Sequence, residues 1–518
     1  MAMLNLAAQA LTEGGDARIT LGGAGANAYG CPPRPDPGLV ALGSSTASVI
    51  SEAAFEAATA LCTRLNQWPA GHVAEAARLR HALLQLSGAD AVPGTDVVLA
   101  ASGTDLHLFA TQLAACAPGV SVQAVMAEAA ETGSGVPAAL AGRHFATGTC
   151  QGQVVSRGEP ISAQSPCEPL AVALRHPDGT PRSAETVDAD FADAVAQVLR
   201  AGRRCLLVLT DLSKTGLLAP SVACAARLRQ RHGDRLEVLV DACQYRLAPA
   251  SLADYLAQDF MVAITGSKFV TGPAFCGALL LPPALARRTR RRPLQALRIY
   301  TARSFWPDHW PAAEVLDDEP NPGLLLRWQA ALVELQRFRA VPEPLVDRFL
   351  QTWGRAVGER LRSDATFGVL PVASLDGARG GRWSGGRWDR HQTIFPFLVY
   401  HRGADGRRTP LSLAEMVDLH RALAQGDAGV GDPPLAAMRF QLGQPVACGQ
   451  RDGQPVSALR LCASARTVVC AARSPQGRAE AVAQAMAALD KVGWLVQRMG
   501  ETPRQSASIP SFPVPAVL

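Results

Sequence analysis

The chain carries the stretch MVAITGSKFVTGP at residues 261–273, and the apolar run GALLL follows at residues 277–281. A short apolar run bounded by turn residues predicts a buried strand, and the Thr-Gly and Gly-Pro dipeptides predict turns. The stretch therefore predicts a strand, a short loop with glycines on both sides, and a second strand. Lys268 is expected at the end of the first strand, on that loop.

A second strand end upstream carries an acidic residue. The apolar run LEVLV at residues 236–240 is followed by Asp241, and Gln244 comes three residues later. A lysine beside a glycine turn is by itself more often a solvated surface residue. A lysine and an aspartate at two strand ends are, however, the pair that a pyridoxal phosphate enzyme requires. The lysine forms a Schiff base with the cofactor, and the aspartate keeps the pyridine nitrogen protonated.

A third motif lies near the start of the predicted sheet. The strand pattern DVVLA at residues 96–100 is followed by Ala101, Ser102, Gly103 and Thr104, which open a predicted helix. The N-terminus of a helix offers unpaired N–H groups and the positive end of its dipole, which suits a phosphate group. The two hydroxyls could donate to such a phosphate. The alternative is that Ser102 or Thr104 only caps the helix.

These motifs occur in an order that resembles a known family. SGTD at residues 102–105 resembles a Gly-Thr-Thr-Glu phosphate turn, and VDACQ at 240–244 resembles Val-Asp-Gly-Ala-Gln. TGSK at 265–268 resembles Ser-Gly-His-Lys, and DLSKTG at 211–216 resembles the Val-Ser-Asn-Val-Leu-Gly loop of desulfurases. ALRL at 458–461 resembles the strand that carries a carboxylate-binding arginine. From about residue 42 to residue 460, the chain resembles the fold type I pyridoxal phosphate enzymes, specifically the class V aminotransferase and cysteine desulfurase superfamily.

The resemblance implies pyridoxal 5'-phosphate as cofactor, an α-amino acid as substrate and a homodimer with a shared active site. It implies Lys268 and Asp241 as the catalytic residues and Arg460 as the ligand of the substrate carboxylate, with Arg466 as the alternative. The residues expected to bind the cofactor are Ser102, Gly103, Thr104, Thr132, Ser213, Asp241, Gln244, Thr265, Ser267 and Lys268.

Two departures from the desulfurase pattern bear on the chemistry. Thr132 stands where that family stacks a histidine on the cofactor ring, unless His107 or His144 fills this role. Cys448 lies near the position of the nucleophilic cysteine, but it comes two positions late and has no flanking histidine. A thiol without a neighbouring base is a poor nucleophile, so we expect Cys448 to be non-catalytic.

Strand and helix patterns alternate along the first part of the chain, which predicts an α/β fold with a doubly wound, mostly parallel sheet. The predicted strands of this sheet are 97–100, 122–125, 205–210, 238–240, 261–264 and 278–281. A long helix predicted from Gly323 to Phe338 leads to a smaller α+β domain. We expect a loose N-terminal arm at 1–40, a large cofactor-binding domain at 41–322, a bridging helix and small C-terminal domain at 323–500, and a loosely ordered tail at 501–518.

Composition narrows the possible classes of function. The 518 residues carry a net charge of +5, which does not indicate nucleic acid as a partner. No apolar run approaches the roughly 18 residues of a membrane helix, and the N-terminus lacks a signal-peptide pattern. The 12 cysteines include no C-x-x-C pair, so neither a metal site nor a redox pair is indicated. These features predict a cytoplasmic enzyme that acts without nucleic acid or membrane.

We therefore expect a pyridoxal phosphate-dependent transferase of the class V type. The alternative is a lyase, which could be desulfurase-like, another C–S lyase or a decarboxylase. A non-catalytic protein that keeps the fold is the less favoured third hypothesis. Residues 300–310 are expected to reach across the dimer interface, through the donors Tyr300, Thr301, Arg303 and Ser304 and the aromatic residues Phe305, Trp306 and Trp310.

Overall fold

The protein was analysed as a computed structural model, which describes residues 2–115, 121–163, 166–379, 387–403, 406–426, 429 and 432–501. The α-helices are α1 (Ala2–Ala10), α2 (Glu52–Gln67), α3 (His72–Ser87), α4 (Gly103–Ala114), α5 (Val136–Leu140), α6 (Ala184–Arg200), α7 (Val222–His232), α8 (Pro249–Ala257), α9 (Pro283–Thr289), α10 (Pro322–Arg339), α11 (Glu343–Ser363), α12 (Leu375–Arg379), α13 (Leu413–Leu423), α14 (Pro434–Ala437), α15 (Ala465–Ala472) and α16 (Pro475–Glu501). The strands are β1 (Leu39–Ala41), β2 (Asp96–Ala100), β3 (Val122–Ala127), β4 (Cys167–Val172), β5 (Arg204–Asp211), β6 (Leu218–Ala219), β7 (Leu236–Ala242), β8 (Met261–Thr265), β9 (Gly277–Leu281), β10 (Phe367–Val369), β11 (Ile394–Arg402), β12 (Arg408–Pro410), β13 (Arg439–Gln441), β14 (Gly443–Arg451) and β15 (Gln454–Cys462).

The large sheet has the strand order β2-β9-β8-β7-β5-β3-β4, and the short β6 pairs with the end of β5. Only β9 runs against its neighbours along this path, and every other adjacent pair is parallel. Strands β2, β3, β7 and β8 are buried along their whole length, as expected where helices cover both faces of a parallel sheet. The carboxyl ends of β2, β5, β7 and β8 therefore lie at one edge of the sheet.

The strands predicted from the sequence for this sheet are all present, and each is longer than predicted at one or both ends. Their apolar residues form the main core together with the facing sides of the helices. The doubly wound, mostly parallel α/β architecture expected from the alternating pattern is thus confirmed.

A second apolar core lies in the C-terminal part of the chain, around the antiparallel strands β10-β11-β15-β14 and helices α11, α13, α15 and α16. Helix α10 connects the two cores, because Leu324 to Leu335 belong to the first and Phe338 belongs to the second. This agrees with the bridging helix predicted from Gly323 to Phe338. The domain boundaries proposed from the sequence stay a prediction.

The N-terminal segment is more firmly attached than the loose arm expected from its glycines and prolines. Helix α1 packs on α2 and α10, and Ala7 and Leu11 are buried. The buried Arg327 of α10 donates to the carbonyl oxygens of Leu11 at 3.1 Å and Glu13 at 2.6 Å. This part is therefore packed on the core, because apolar residues of α1 are buried and one arginine binds carbonyl oxygens of the residues that follow the helix. The extent of the N-terminal arm stays a prediction.

The tail predicted at 501–518 lies outside the described residues from position 502 onward. Within the described residues, none of the helices combines the length and the apolar character that crossing a bilayer requires.

Candidate active site

One cavity opens at the carboxyl edge of the large sheet, where the loops after β2, β5, β7 and β8 meet the start of the C-terminal sheet. Crevices at this edge are where open α/β sheets bind their ligands. The predicted site residues that line it are Ser102, Gly103, Thr104, Thr132, Asp241, Gln244, Thr265, Ser267, Lys268 and Arg460. Residues separated by more than 350 positions in the sequence thus share one cavity.

Asp241 lies beside three groups that stabilise its negative charge. His107 Nε2 of α4 lies 3.2 Å from Asp241 Oδ2, and the other ring nitrogen, Nδ1, lies 2.8 Å from the carbonyl oxygen of Gly103. Burial alone would raise the pKa of Asp241, but His107, a hydrogen bond from Cys243 and the Lys268 ammonium outweigh it and hold the pKa well below its ordinary value. Asp241 is therefore an ionised carboxylate in a buried position, suited to face a cation.

The N-terminus of α4 points into the cavity through Gly103 and Thr104. A side chain at Gly103 would approach Cys243 Sγ to 2.8 Å, so glycine permits the close packing between the loops after β2 and β7. Ser102 is the N-cap: its hydroxyl accepts from the amide of Asp105 and donates to the Asp105 carboxylate. The Ser102 hydroxyl thus has the helix-capping role that was the alternative interpretation, and its binding of a phosphate stays a prediction.

The cavity wall contains buried polar atoms that have no hydrogen-bond partner among the described residues. They are Ser45 Oγ, Thr132 Oγ1, Thr210 Oγ1, Gln244 Oε1, Arg460 Nε and His107 Nε2. The last of these faces Asp241 Oδ2 at 3.2 Å without the geometry of a hydrogen bond. Buried polar atoms in proteins are almost always hydrogen-bonded, so such a concentration around one cavity indicates a polar ligand. Gln244 is held from its other side, since its Nε2 donates to the carbonyl oxygen of Ser45 at 3.1 Å.

The loop after β8 positions the two residues that precede the lysine. Thr265 Oγ1 donates to the carbonyl oxygen of Cys243 at 2.6 Å, and Ser267 Oγ lies 3.4 Å from Thr265 Oγ1. The amide of Gly266 donates to the carbonyl oxygen of Cys276 at 2.9 Å. The bond from Thr265 to Cys243 joins the loop after β7 to the end of β8, and the other two contacts hold the connection between β8 and β9 that carries Lys268.

Ser213 does not line the cavity, contrary to the expectation that it binds the cofactor. Its hydroxyl donates to Glu131 Oε2 at 2.7 Å, and Arg175 Nε donates to the other carboxylate oxygen, also at 2.7 Å. Ser213 is thus bonded to Glu131, which itself lines the cavity, and the neighbours Leu212 and Lys214 are the residues of this loop that line it.

The arginine expected to bind a substrate carboxylate lies in the cavity wall. Arg460 donates to Thr46 Oγ1 at 2.9 Å and to the carbonyl oxygen of Lys214 at 3.2 Å. Burial lowers its pKa to about 10. The alternative, Arg466, lies outside the lining residues and binds Glu334 at 3.1 Å. Of the two candidates, only Arg460 is placed to meet a ligand.

Cys448 is buried outside the cavity, with its Sγ 3.7 Å from the carbonyl oxygen of Val456. Burial raises the pKa of this thiol to about 11. Its position agrees with the expectation that it is non-catalytic. His144 also lies outside the lining, with its Nδ1 next to Tyr300 Oη, whereas His107 lies inside it.

The residues expected to reach a partner subunit are occupied within their own chain. Tyr300, Thr301, Ser304, Phe305, Trp306 and Trp310 are all buried. Trp306 Nε1 donates to Thr301 Oγ1 at 3.1 Å, and Trp310 Nε1 donates to Asp96 Oδ2 at 2.7 Å. The assignment of this segment to an interface was wrong for these six residues, since the sequence alone does not distinguish an interface aromatic from a core aromatic.

Sequence reasoning missed several residues of the cavity wall, and three of them are charged or aromatic residues outside the predicted site positions: Arg18, Tyr29 and Lys214. Arg18 and Tyr29 come from the N-terminal segment, where no periodic pattern pointed to a site. Lys214 did carry a signal, because the chain has only three lysines and this one follows a buried strand.

Comparison with known proteins gives a fold and no closer assignment. No family model matches the sequence, and no curated protein matches it. Among solved structures, the glutamate decarboxylase domain of diaminobutyrate-pyruvate transaminase and L-2,4-diaminobutyrate decarboxylase from Vibrio parahaemolyticus is similar, with a TM-score of 0.50 and 13% identity over 89% of this chain and 81% of that one. The cystine C-S lyase C-DES, in complex with its product cysteine persulfide, has a TM-score of 0.51 and 16% identity over 85% of this chain and 97% of that one. These likenesses support the fold type I architecture.

Proposed function

We propose that the protein is a pyridoxal phosphate-dependent enzyme that acts on an α-amino acid. The observation that carries this proposal is the meeting of Lys268, Asp241 and the N-terminus of α4 in one cavity, whose wall holds buried polar atoms without partners. An amine, a buried ionised carboxylate and a phosphate-binding helix start are the three groups that this cofactor needs.

Each group has a defined task in this proposal. When bound, pyridoxal phosphate supplies an aldehyde that condenses with amines and a ring that accepts electrons from the substrate. Lys268 Nζ is the amine that holds the cofactor covalently, and Asp241, fixed by His107, keeps the ring nitrogen protonated. The N–H groups at Gly103 and Thr104 bind the phosphate. Gln244 Oε1, which has no partner among the described residues, accepts from the ring hydroxyl.

Transamination of the class V type is our first candidate for the reaction. A lyase is the second, because one similar structure is by its name a C-S lyase and another a decarboxylase domain. Desulfuration by a cysteine nucleophile has little support. The Cys448 thiol is buried away from the cavity, and burial raises the pKa of the two thiols in the cavity wall, Cys243 and Cys276, above the ordinary value. A non-catalytic role fits poorly with so many buried polar atoms left for a ligand.

The test of the cofactor is chemical. The purified protein with pyridoxal phosphate should be yellow, and borohydride should bleach it while fixing the cofactor on one lysine. Peptide mass spectrometry should then find the added mass on Lys268 and not on Lys214 or Lys491, the other two lysines of the chain. Lys268→Ala should lose the absorbance and all turnover with an unchanged circular dichroism spectrum. Full turnover in Lys268→Ala would refute the proposal.

The test of the reaction type is a product analysis. The loaded enzyme is incubated with each common amino acid, with and without a 2-oxo acid acceptor, and the products are identified by mass spectrometry. An oxo acid formed only when the acceptor is present supports transamination. Carbon dioxide, sulfide or ammonia released without an acceptor supports a lyase.

A homodimer stays part of the proposal on the grounds of the family resemblance alone. Sedimentation at micromolar concentration should give twice the chain mass of 54.5 kDa. A fully active monomer would exclude a shared site.

A further inference from the structure

Arg18 brings a positive charge to the cavity wall from the N-terminal part of the chain. It lies in the stretch between α1 and β1, which forms no helix or strand. Its guanidinium is nevertheless held in place. Nη2 donates to Asp16 Oδ2 at 2.6 Å and Nε donates to Asp16 Oδ1 at 2.9 Å, and Cζ lies 4.8 Å from the centroid of the Phe275 ring.

The contacts of this stretch place Arg18 beside the turn that opens helix α4. Ile19, the residue after Arg18, belongs to one small apolar cluster with Ala101 and Phe275. Ala101 directly precedes Ser102, the N-cap of α4. Strands β2 and β9 are antiparallel neighbours, so the residues that follow β2 lie opposite those that precede β9. The ring under the Arg18 guanidinium is therefore next to the start of α4.

The charges at the start of α4 would need a cation if a phosphate bound there. The Asp105 carboxylate accepts from the amide of Ser102 at 2.9 Å. Burial raises the pKa of Asp105 to about 6, and Asp16 acts in the same direction, whereas the Ser102 hydrogen bonds and Arg18 oppose them. A phosphate would thus meet two carboxylates, and the helix dipole supplies only about half a positive charge. Arg18 is the cation that already acts on this helix start.

A buried hydroxyl without a partner points to a ligand at the same end of the cavity. Thr132 is 4% exposed and lines the cavity, and its Oγ1 has no hydrogen-bond partner among the described residues. Its loop packs on the first turn of α4, because a side chain at Gly135 would come within 3.1 Å of Thr104 Cγ2. Buried polar atoms are almost always hydrogen-bonded, so a polar group of a ligand is expected here.

The guanidinium of Arg18 can serve two partners. It carries five N–H groups in one plane, and Asp16 binds the edge formed by Nε and Nη2. The edge between Nη1 and Nη2 has the shape that binds a phosphate through two parallel hydrogen bonds. Tyr29 also interacts with this guanidinium and lines the cavity with it.

We propose that Arg18 is a ligand of the cofactor phosphate, together with the N-terminus of α4. This rests on the proposed function, because the phosphate belongs to the pyridoxal phosphate that Lys268 holds. Two other roles compete with it. Arg18 could bind the carboxylate of the substrate, or it could only balance the charges of Asp16 and Asp105.

The experiment compares two compounds that differ only in the phosphate group. The full-length protein, freed of cofactor, is titrated with pyridoxal phosphate and with pyridoxal, and the yellow absorbance gives both affinities. We expect Arg18→Gln to weaken the binding of pyridoxal phosphate about 10- to 100-fold, as for the loss of a charged hydrogen-bonding partner, and to change the affinity for pyridoxal by less than about twofold.

Two further variants serve as controls. Arg34 belongs to the same stretch and also lies over an aromatic ring, 5.8 Å from that of Phe55, but it does not line the cavity. Arg34→Gln should change neither affinity. Arg18→Lys keeps a cation, and it replaces Arg18→Gln if that variant does not fold. It should weaken the binding of pyridoxal phosphate severalfold and leave pyridoxal unaffected, because an ammonium lacks the planar pair of donors.

The outcomes separate the three roles of Arg18. An equal loss of affinity for both compounds would mean that Arg18 only supports the structure. Unchanged affinities with a raised KM for the amino acid would assign it to the substrate. Unchanged affinities of any kind, or an equal loss, overturn the phosphate ligand.

Failure of this inference also differs from failure of the proposed function. If borohydride leaves no cofactor on Lys268 of the wild type, the proposed function is refuted. If the cofactor is fixed on Lys268 and Arg18→Gln keeps the full preference for the phosphate compound, only the role of Arg18 is refuted.

Discussion

The loops after β5 and β8 both deliver a lysine to the same cavity, but they surround it with different charges. Lys268 lies near the buried Asp241 carboxylate at the end of the neighbouring strand β7, and Gly266 and Gly272 stand on either side of it in the sequence. Lys214 has Arg460 and Lys268 as neighbours, and a buried Glu131–Arg175 pair holds its loop. The comparison teaches that both lysines follow a strand end, whereas the surroundings differ: burial and two cations outweigh Glu131 at Lys214 and lower its pKa to about 8.

The largest effect is expected on the Lys268 side, at its carboxylate partner. Asp241→Asn should still bind pyridoxal phosphate, but turnover should fall by a factor of about 10²–10⁴, because a neutral amide stabilises the protonated ring nitrogen less by a few kcal/mol. Steady-state kinetics with a measured cofactor content checks this. Near-normal turnover would show that Asp241 does not face the ring.

The next effect concerns the anchor of the Lys214 loop. Arg175→Met leaves the Glu131 carboxylate buried without its cation and should lower the free energy of unfolding by about 3–5 kcal/mol. The control is Arg143→Met, which breaks the exposed Arg143–Glu168 pair and should change it by less than about 1 kcal/mol. Chemical denaturation measures both. An equal loss in the free energy of unfolding for the two variants would mean that the buried Glu131–Arg175 pair does not hold the Lys214 loop in place.

A smaller effect should appear in the pH dependence of stability. The pKa of Lys214 is about 8 in the folded protein, against an ordinary value of 10.5. Between these values the unfolded chain binds more protons, so the free energy of unfolding rises with pH, by at most about 3 kcal/mol. Below pH 8 Lys214 is charged in both the folded and the unfolded chain. The free-energy cost of keeping that charge buried then lowers the stability of the folded protein in full.

The measurement is a difference between two proteins. Unfolding of the wild type and of Lys214→Met is followed from pH 7 to 10.5, and the extra rise should occur only in the wild type. If the free energy of unfolding rose equally with pH in both proteins, the pKa of Lys214 would not be lowered in the folded state. The electrostatic difference between the two lysines would then be refuted.

The smallest effect is expected at Cys448. Cys448→Ala should keep turnover within about twofold and cost on the order of 1 kcal/mol of stability, because it removes one buried sulfur outside the cavity. Kinetics with the amino acid identified by product analysis checks this. A loss of turnover above tenfold with an unchanged fold would restore a nucleophilic cysteine to the site.

Much of the fold and part of the site could be read from local patterns. The strands of the large sheet were predicted because each is a short apolar run bounded by turn residues. Lys268, Asp241, Gly103 and Thr104 were predicted because each follows such a run, and parallel strands bring these ends to one edge. Ser213 was predicted from the family resemblance of its loop alone and does not line the cavity, because a loop pattern does not show which of its adjacent side chains points inward.

The sequence by itself determined the α/β class, the strand ends that carry chemistry and the bridging helix α10, since these depend on periodicity and on residues close together in the chain. Only the tertiary structure decided that His107 supports Asp241, that Arg18 enters from the N-terminal segment, and that Lys214 lies beside Arg460, 246 positions away. It also decided that Trp306 and Trp310 belong to the core. The physical reason is that burial and charge proximity depend on contacts between distant segments, which no local pattern encodes.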